Sequence, residues 1–136
     1  MARIMAIDYG IKRVGLATTD PLQIIASPLD TIATAQLLAF FENYLKTEDV
    51  ECIVIGEPKH KDGSPTYLEG HIKGFIKRFK KVYPAIKIER QDEAFTSKMA
   101  EDVIQKTVKK KKDRQDKGLV DQISACLILQ EYMGFF

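Results

Sequence analysis

The sequence predicts an α/β domain built on a mixed five-stranded sheet with helices on its faces. Three short apolar runs at 4–8, 13–19 and 24–32 follow one another closely, which is typical of an antiparallel meander. Two further runs, at 52–55 and 85–90, are separated by stretches with helical spacing of apolar residues. Strands separated by helices indicate parallel crossover connections, so the sheet should contain both kinds of pairing.

Helices are predicted between and after the later strands, giving the order β-β-β-α-β-α-β-α-α. Thr34 is expected to cap the first helix, and Ser64 the second, with Pro65 at the first helical position of the latter. A third helix is predicted over about 98–108. The apolar run 119–133 predicts the last one.

Composition is typical of a soluble protein with one domain, spanning 1–136. The chain is 45% hydrophobic and 29% charged, and its formal net charge is only +2, so any affinity for nucleic acid requires a local basic patch. Cys52 and Cys126 lie in apolar runs and are expected to be reduced core residues. His60 and His71 are isolated, and no Cys/His spacing indicates zinc.

The chain is expected to be cytoplasmic and to have no membrane partner. An acidic residue, Asp8, comes too early for a secretory signal peptide, and no apolar run approaches the ~20 residues of a membrane span. Reduced cysteines agree with that compartment.

Asp8 is the first candidate for chemistry. It follows an uninterrupted apolar run, which predicts a central strand with a carboxylate at its carboxyl edge, where ligands collect in open α/β folds. Gly10 would allow a ligand or another backbone to approach closely. The alternative is that Asp8 only forms a turn.

Glu93, with Asp92 beside it, is the second candidate. It follows the strand predicted at 85–90 and precedes a helix start at Thr96 or Ser97. Neighbouring residues of an extended chain point to opposite faces, so only one of the two acids can face the site. Glu93 is favoured and Asp92 is second. The alternative is an acidic loop placed favourably near a helix N-terminus.

Asp121 is the third and most informative candidate. It interrupts the apolar run 119–129, and burying an unpaired carboxylate is costly. One explanation is a first-turn aspartate stabilised by the helix dipole. The other is that the same dipole keeps Asp121 ionised so that it can bind a cation.

Three acids at one sheet edge would raise each other's pKa unless a cation joined them. Hard oxygen ligands suit Mg²⁺ or Mn²⁺, and one or two such ions are expected at Asp8, Glu93 and Asp121. A pair of metals ~4 Å apart can activate a water and stabilise the leaving oxygen in phosphoryl transfer. The sequence therefore favours a phosphodiester-cleaving site.

Basic residues near these acids predict a nucleic-acid partner. Lys12 and Arg13 follow the first acid, and a lysine-rich segment precedes the third. A cationic loop beside such a site would attract an anionic polymer, although the run could also be a solvated loop. The expected substrate-binding residues are Gly10, Lys12, Arg13, Thr96, Lys109, Lys110, Lys111, Lys112 and Arg114.

Four segments resemble, in order, the motifs of the YqgF family, also called RuvX-like proteins. The opening motif is matched by 8–17 (DYGIKRVGLA), and the glycine-proline loop by 55–58 followed by 62–64. The family's Asp-Glu-Arg motif is matched by 92–97, and its C-terminal helix by 120–132. The resemblance covers nearly the whole chain.

This resemblance implies an RNase H-like fold with strand order 3-2-1-4-5 and helices on both faces. It implies a cytoplasmic nuclease that matures the 5′ end of the 16S rRNA precursor, in a family also described as Holliday junction resolvases. The family's acids fall on Asp8, Glu93 and Asp121. Ala94 stands where the family usually has Arg, so this position can pair with neither an acid nor a phosphate.

Three functions are compatible with these features. The first is an endonuclease, monomeric or weakly dimeric, that acts on structured RNA, with branched DNA as the alternative substrate. The second is a non-catalytic RNA- or protein-binding module, which Ala94 favours. The third is phosphate binding as in actin-like ATPases, but those proteins close two such domains over a nucleotide, and this chain has the length of one.

Overall fold

An antiparallel meander opens the fold. The computed structural model describes residues 2–60, 62–92 and 117–135. The first strand, β1 (Arg3–Tyr9), pairs with β2 (Arg13–Thr19), and β2 pairs with β3 (Ala26–Ala33). The three predicted strands are confirmed, with shifts of one or two residues at their ends.

Two parallel strands complete the sheet on the other side of β1. The meander is followed by a short 3₁₀ turn and by helix α1 (Leu37–Thr47), which leads into β4 (Val50–Glu57) beside β1. Helix α2 (Leu68–Val82) then leads into β5 (Lys87–Asp92), which pairs with β4. The strand order is β3-β2-β1-β4-β5, which confirms the predicted order.

Helices cover both faces of this sheet. On one face, alternate strand residues such as Ile7 and Ile53 pack with Phe41 of α1 and with Phe75 and Phe79 of α2. The opposite face is lined by smaller side chains and is covered by the last helix, α3 (Lys117–Tyr132). Its contacting residues are Ala6, Ala17, Cys52 and Val54 on the strands, and Ala125, Cys126, Ile128 and Leu129 on α3.

Small residues on the α3 face let this helix lie close to the strands.

Both cysteines are buried and free, as expected, and burial raises the pKa of each thiol. Among the described residues, no helix is long and apolar enough to cross a membrane.

Both expected helix caps are wrong. Thr34 begins the 3₁₀ turn, and its hydroxyl donates to the carbonyl of Gly10 at 2.7 Å instead of capping α1. The second helix begins at Leu68 rather than Pro65, and the Ser64 hydroxyl donates to the Asp62 carboxylate at 2.6 Å. The Thr34 hydroxyl is used in a tertiary contact and the Ser64 hydroxyl in a tight turn, so neither is available to cap a helix.

The outer strand β3 is interrupted in its pairing with β2. The register shifts between Leu16, which lies opposite Asp30, and Ala17, which lies opposite Pro28. One extra residue of β3 therefore bulges out of the ladder beside a proline that has no N–H to donate.

An ion pair ties α2 to the carboxyl end of β4. The Arg90 guanidinium donates to both carboxylate oxygens of Glu69, at 2.7 and 3.2 Å, and also to the carbonyls of Ile55 and Gly56. This side-chain hydrogen bond with Arg90 is the main reason that the pKa of Glu69 lies below its usual range. The pair fixes the start of α2 at the edge of the sheet where β1 and β4 end.

We expect Glu69→Gln to lower the free energy of unfolding at pH 7 by about 1–2 kcal/mol, because a charge-assisted hydrogen bond is lost. Since the folded-state pKa of Glu69 is depressed, its contribution is present above the unfolded-state pKa and is lost as the pH falls through the folded one. Denaturation curves from pH 7 to pH 3 should therefore be less pH-dependent in the variant than in the unmodified chain. Glu42→Gln, an exposed change on α1, is the control and should leave the pH dependence unaltered.

Candidate functional site

Asp8 lies within β1, one residue before its end, and is not part of the turn that follows. Its Cα is paired with that of Gly15 on β2. The alternation of the strand puts Asp8 on the same face as Ala6, which is the face that α3 covers. The turn-forming alternative for Asp8 is therefore wrong.

Gly15 is the point at which α3 touches the sheet most closely. A Cβ atom on this glycine would lie 2.1 Å from the carbonyl oxygen of Asp121 and 2.9 Å from its Cβ. No other residue type fits without displacing the helix backbone. Gly15 therefore determines how closely α3 approaches β2 and where Asp121 lies relative to that strand.

These contacts bring the first and third predicted acids together. Cross-strand partners on one face have Cβ positions about 4.5–5.5 Å apart. Since the Cβ of Asp121 lies 2.9 Å from the Cβ position of Gly15, the Cβ atoms of Asp8 and Asp121 are at most about 8.5 Å apart. One divalent cation with oxygen ligands at ~2.0–2.6 Å can bridge two carboxylates at such a separation.

Asp121 lies beyond the first turn of the described part of α3, Lys117–Tyr132. The dipole effect falls off within one turn, so it does not account for this carboxylate. Arg13 does pair with it: the guanidinium Nε donates to Asp121 Oδ2. The side chain of Asp121 is 20% exposed and that of Arg13 is 41% exposed, so solvent still reaches the pair.

The start of α3 has a second anchor on β3. The Thr31 hydroxyl donates to the carbonyl of Gly118 at 2.6 Å. Thr31 is also the residue paired with Gly15 across the β2–β3 ladder. The beginning of the described part of α3 is thus held by two neighbouring positions of the sheet, which fixes the position of the Asp121 backbone.

The turn between β1 and β2 is held in place by the chain that follows β3. The Thr34 hydroxyl and backbone N–H contact the carbonyls of Gly10 and Lys12, at 2.7 and 3.1 Å. A Cβ on Gly10 would lie 2.6 Å from the carbonyl oxygen of Arg13, so the turn requires glycine here. Gly10 is explained by this internal approach and need not be reserved for a ligand.

An open depression of about 360 Å³ lies over the turn and the start of α3. It combines one carboxylate, two cations and an aromatic ring that is 72% exposed. Sequence reasoning missed the aromatic residue, Tyr67, although a tyrosine just before an amphipathic helix was visible in the sequence. The lining residues are Gly10, Ile11, Lys12, Arg13, Tyr67 and Asp121.

Asp92, the second choice for the middle acid, faces away from Asp8. It is the last residue of β5, where it pairs with Glu57, and Lys59 Nζ lies 3.7 Å from its carboxylate. Ile88 and Arg90, on the same side of β5, pack towards α2, so Asp92 belongs to the face opposite α3. Asp92 therefore lies on the face of β5 opposite the one that carries Asp8 on β1, and β5 ends two residues beyond the predicted end of the strand.

The other predicted site residues lie outside the described part of the chain. They are Glu93, Thr96, Lys109, Lys110, Lys111, Lys112 and Arg114, and the same holds for Ala94 and for the helix predicted at 98–108.

The described donors are of the type that a hard divalent cation prefers. Asp8 and Asp121 offer carboxylate oxygens from one face, and Arg13, which donates to Oδ2 of Asp121, competes with a cation for that oxygen. Within 2–60, 62–92 and 117–135, no group of three or more acidic, His or Cys side chains is close enough to form a metal site. Asp8 and Asp121 are thus the two predicted ligands that lie within the described residues.

A family model described as RuvX, Holliday junction resolvase, matches residues 2–134. The chain belongs to the RuvX family. It is 52% identical over 134 residues to a protein of Christiangramia forsetii and 47% identical over 133 residues to one of Bacteroides fragilis. Both relatives are named "Putative pre-16S rRNA nuclease"; the alignments cover 98% of this chain, and 98% and 96% of the relatives.

Two solved structures share the fold of this RuvX chain. The first is Thermus thermophilus RuvC in complex with a Holliday junction substrate, with a TM-score of 0.57 at 16% identity over 98% of this chain and 97% of that one. The second is RuvC from the same organism, with a TM-score of 0.54 at 14% identity over 97% of this chain and 96% of that one. The RNase H-like architecture inferred from the sequence is thereby confirmed.

Family membership also confirms the resemblance drawn from the four motifs. In this RuvX chain the opening motif supplies Asp8, the turn at Gly10, Arg13 and the contact glycine Gly15, while the C-terminal motif supplies Asp121. The two motifs are more than 100 residues apart in sequence and meet at one sheet edge.

Proposed function

We propose that this chain is a metal-dependent endonuclease that hydrolyses phosphodiester bonds of structured RNA, with the 5′ end of the 16S rRNA precursor as its substrate. The observation that carries the proposal is the packing of Asp121 on Gly15, directly beside Asp8. The names of its relatives supply the substrate. The cytoplasm is the proposed compartment, because rRNA precursors are found there.

Asp8 and Asp121 would hold Mg²⁺ or Mn²⁺, with Glu93 proposed as the third ligand. The metal would supply an activated water and charge stabilisation for the leaving oxygen. Clustered carboxylates without a strong counter-charge repel one another, and Arg13 offsets part of that repulsion at Asp121.

The depression gives each surrounding residue a role towards RNA. Lys12 and Arg13 place cationic donors where a scissile phosphate would enter, and the planar guanidinium can bind two phosphate oxygens at once. The exposed Tyr67 ring offers a face on which an unpaired base can stack, at roughly 1–3 kcal/mol per base. Together they would favour a phosphate beside an unstacked nucleotide.

The direct test is cleavage of an end-labelled precursor that spans the mature 5′ end of 16S rRNA. Discrete products should form with Mg²⁺ or Mn²⁺ and not with EDTA. If the chain binds this RNA tightly but no metal yields product, it acts as a binding module without turnover.

A second candidate is cleavage of branched DNA, which the description of the matching family model favours. A four-way DNA junction should be offered in parallel with the RNA precursor, at equal concentration and in the same metal. Faster cutting of the junction would reassign the substrate while leaving the chemistry of the site unchanged.

Lys109, Lys110, Lys111, Lys112 and Arg114 are proposed to bind the substrate backbone. Changing the four lysines to Gln should weaken RNA binding and flatten its salt dependence by about one unit of slope per lost phosphate contact. The measurement is the affinity for precursor RNA at several KCl concentrations. A slope identical to that of the unmodified chain would identify the run as a solvated segment only.

A further inference from the structure

The solvent side of α2 carries most of the positive charge in the middle of the chain. This helix has five basic residues and a single acid, Glu69, which is neutralised by Arg90, whereas the net charge of the whole chain is only +2. Four exposed lysines occupy an arc of about 100° opposite the buried Ile72, Phe75 and Phe79. They form what we call the α2 basic face: Lys73, Lys77, Lys80 and Lys81.

The stability of α2 accounts for only two of these four lysines. Lys80 and Lys81 lie in the last turn, where cations interact favourably with the helix dipole. Lys73 and Lys77 lie too far from that end to benefit. Like charges four residues apart, as in Lys73–Lys77 and Lys77–Lys81, cost about 0.2–0.5 kcal/mol per pair.

Two glycines flank these lysines on the surface of α2. Gly70 and Gly74 lie on the same side of α2, and a Cβ on Gly70 would meet no atom within 4 Å. A helical glycine costs about 0.5–1 kcal/mol relative to alanine, and packing does not require Gly70. Arg78 folds back so that its Nη1 lies 3.4 Å from the Cβ position of Gly74, which adds a further cation to the side of the face.

The helix that carries this face begins beside the proposed active site. Tyr67 lines the depression that contains Asp121, and α2 begins at the next residue. Fifteen helical residues extend about 22 Å, so the lysines lead away from the site along the α1/α2 side of the sheet. A polyanion held at Asp121 and long enough to pass Tyr67 would lie against them.

We propose that the α2 basic face binds the sugar-phosphate backbone of a double-helical arm extending from the cleavage site. The proposal rests on the proposed function and identifies the part of the substrate that lies beyond the cut. A rigid row of cations suits the regular phosphates of a duplex. The aromatic side chains within α2, Phe75 and Phe79, are buried, so this face offers no ring on which single-stranded bases could stack.

The test compares two double variants that remove equal charge. Lys73→Gln with Lys77→Gln alters the face, and Lys46→Gln with Lys87→Gln removes two exposed lysines elsewhere. Binding is measured by fluorescence anisotropy in EDTA, over a KCl series, with two RNAs that share one cut site. One RNA has an arm of about 16 base pairs, which is longer than α2. The other has an arm of about 4 base pairs, which is too short to extend along the helix.

For the long arm we expect the face variant to lose about 1–2 units of salt slope and roughly tenfold in affinity. The short arm should bind both variants and the unmodified chain alike, and the control pair should match the unmodified chain throughout. Equal slopes for all three proteins on the long arm would overturn the proposal. An equal loss on both arms would also overturn it, because the contact would then lie at the cut site.

Two further readouts separate the alternatives. If the face variant binds RNA normally but loses binding to phosphatidylglycerol vesicles, the face belongs to a membrane surface and the proposal fails. Binding is measured without metal, so it tests the α2 basic face separately from cleavage. If only the proposed nuclease activity is wrong, the unmodified chain will bind the long-arm RNA with the expected salt slope but will cut neither RNA when metal is added. Denaturation midpoints of the two double variants should agree, which excludes unfolding as the cause.

Discussion

Asp121→Asn is expected to reduce metal-dependent cleavage by roughly 10²–10⁴-fold while leaving the chain folded. Asparagine has the same shape as aspartate but no negative charge, so it holds a divalent cation poorly. Asp8→Asn should have an effect of the same order, because the two carboxylates lie on one face at Cβ positions at most about 8.5 Å apart. Single-turnover cleavage of the labelled precursor measures both.

The control for these changes is Asp49→Asn, an exposed aspartate just before β4, at the opposite edge of the sheet. It should cleave as the unmodified chain does. Loss of the partly exposed Arg13–Asp121 pair should cost no more than about 1 kcal/mol of stability, so thermal unfolding distinguishes damage to the fold from loss of chemistry. Titration with Mn²⁺ should show weaker binding in both site variants. Unchanged cleavage in either of them would rule out the proposed mechanism.

Gly15→Ala is expected to lower the free energy of unfolding by about 1–3 kcal/mol and to abolish most of the cleavage. The added Cβ would lie 2.1 Å from a backbone oxygen of Asp121, so no side-chain rotation can relieve the clash and α3 must move away from β2. That movement would carry the Asp121 carboxylate away from Asp8. Urea denaturation and the cleavage assay give the two effects separately.

Gly70→Ala is the matched control, since it makes the same chemical change where a Cβ meets no atom within 4 Å. It should raise stability by about 0.5–1 kcal/mol through reduced freedom of the unfolded chain. If Gly15→Ala were as stable as Gly70→Ala and cleaved as fast as the unmodified chain, the close approach of α3 to β2 would not be what positions Asp121.

The strands could be predicted from the sequence because hydrophobic patterning over several residues dominates the burial energy, whereas their order in the sheet was implied by the family resemblance. Runs such as 4–8 and 52–55 can be satisfied only in the centre of a sheet. The helical spacing of apolar residues likewise places Ile72 and Phe79 on one side of α2, and that side is buried. The roles of the Thr34 and Ser64 hydroxyls were predicted wrongly because each is decided by a single hydrogen bond, and the local sequence does not reveal its partner.

The site was predictable in part for a similar reason. A charge within an apolar run made Asp121 a candidate, and the structure places it against Gly15, beside Asp8; alternation within a strand predicted that one of the neighbouring acids faces away, and Asp92 does. Gly15 could not be recognised as a contact point, since its partner is more than 100 residues away in the sequence. Tyr67 was missed because the sequence does not show that this tyrosine lies beside Arg13 and Asp121 in the folded chain.

The bulge at Pro28 also limits how copies of this protein can associate. An unpaired outer strand invites another chain to extend the sheet, but β3 lacks a donor at Pro28 and its ladder is broken there. On the other side, β5 begins with the charged pair Lys87 and Glu89, which is poorly suited to a flat intermolecular ribbon. Both outer strands of the sheet are therefore poorly suited to pairing with a second copy of this chain, so edge-to-edge stacking into fibrils is disfavoured.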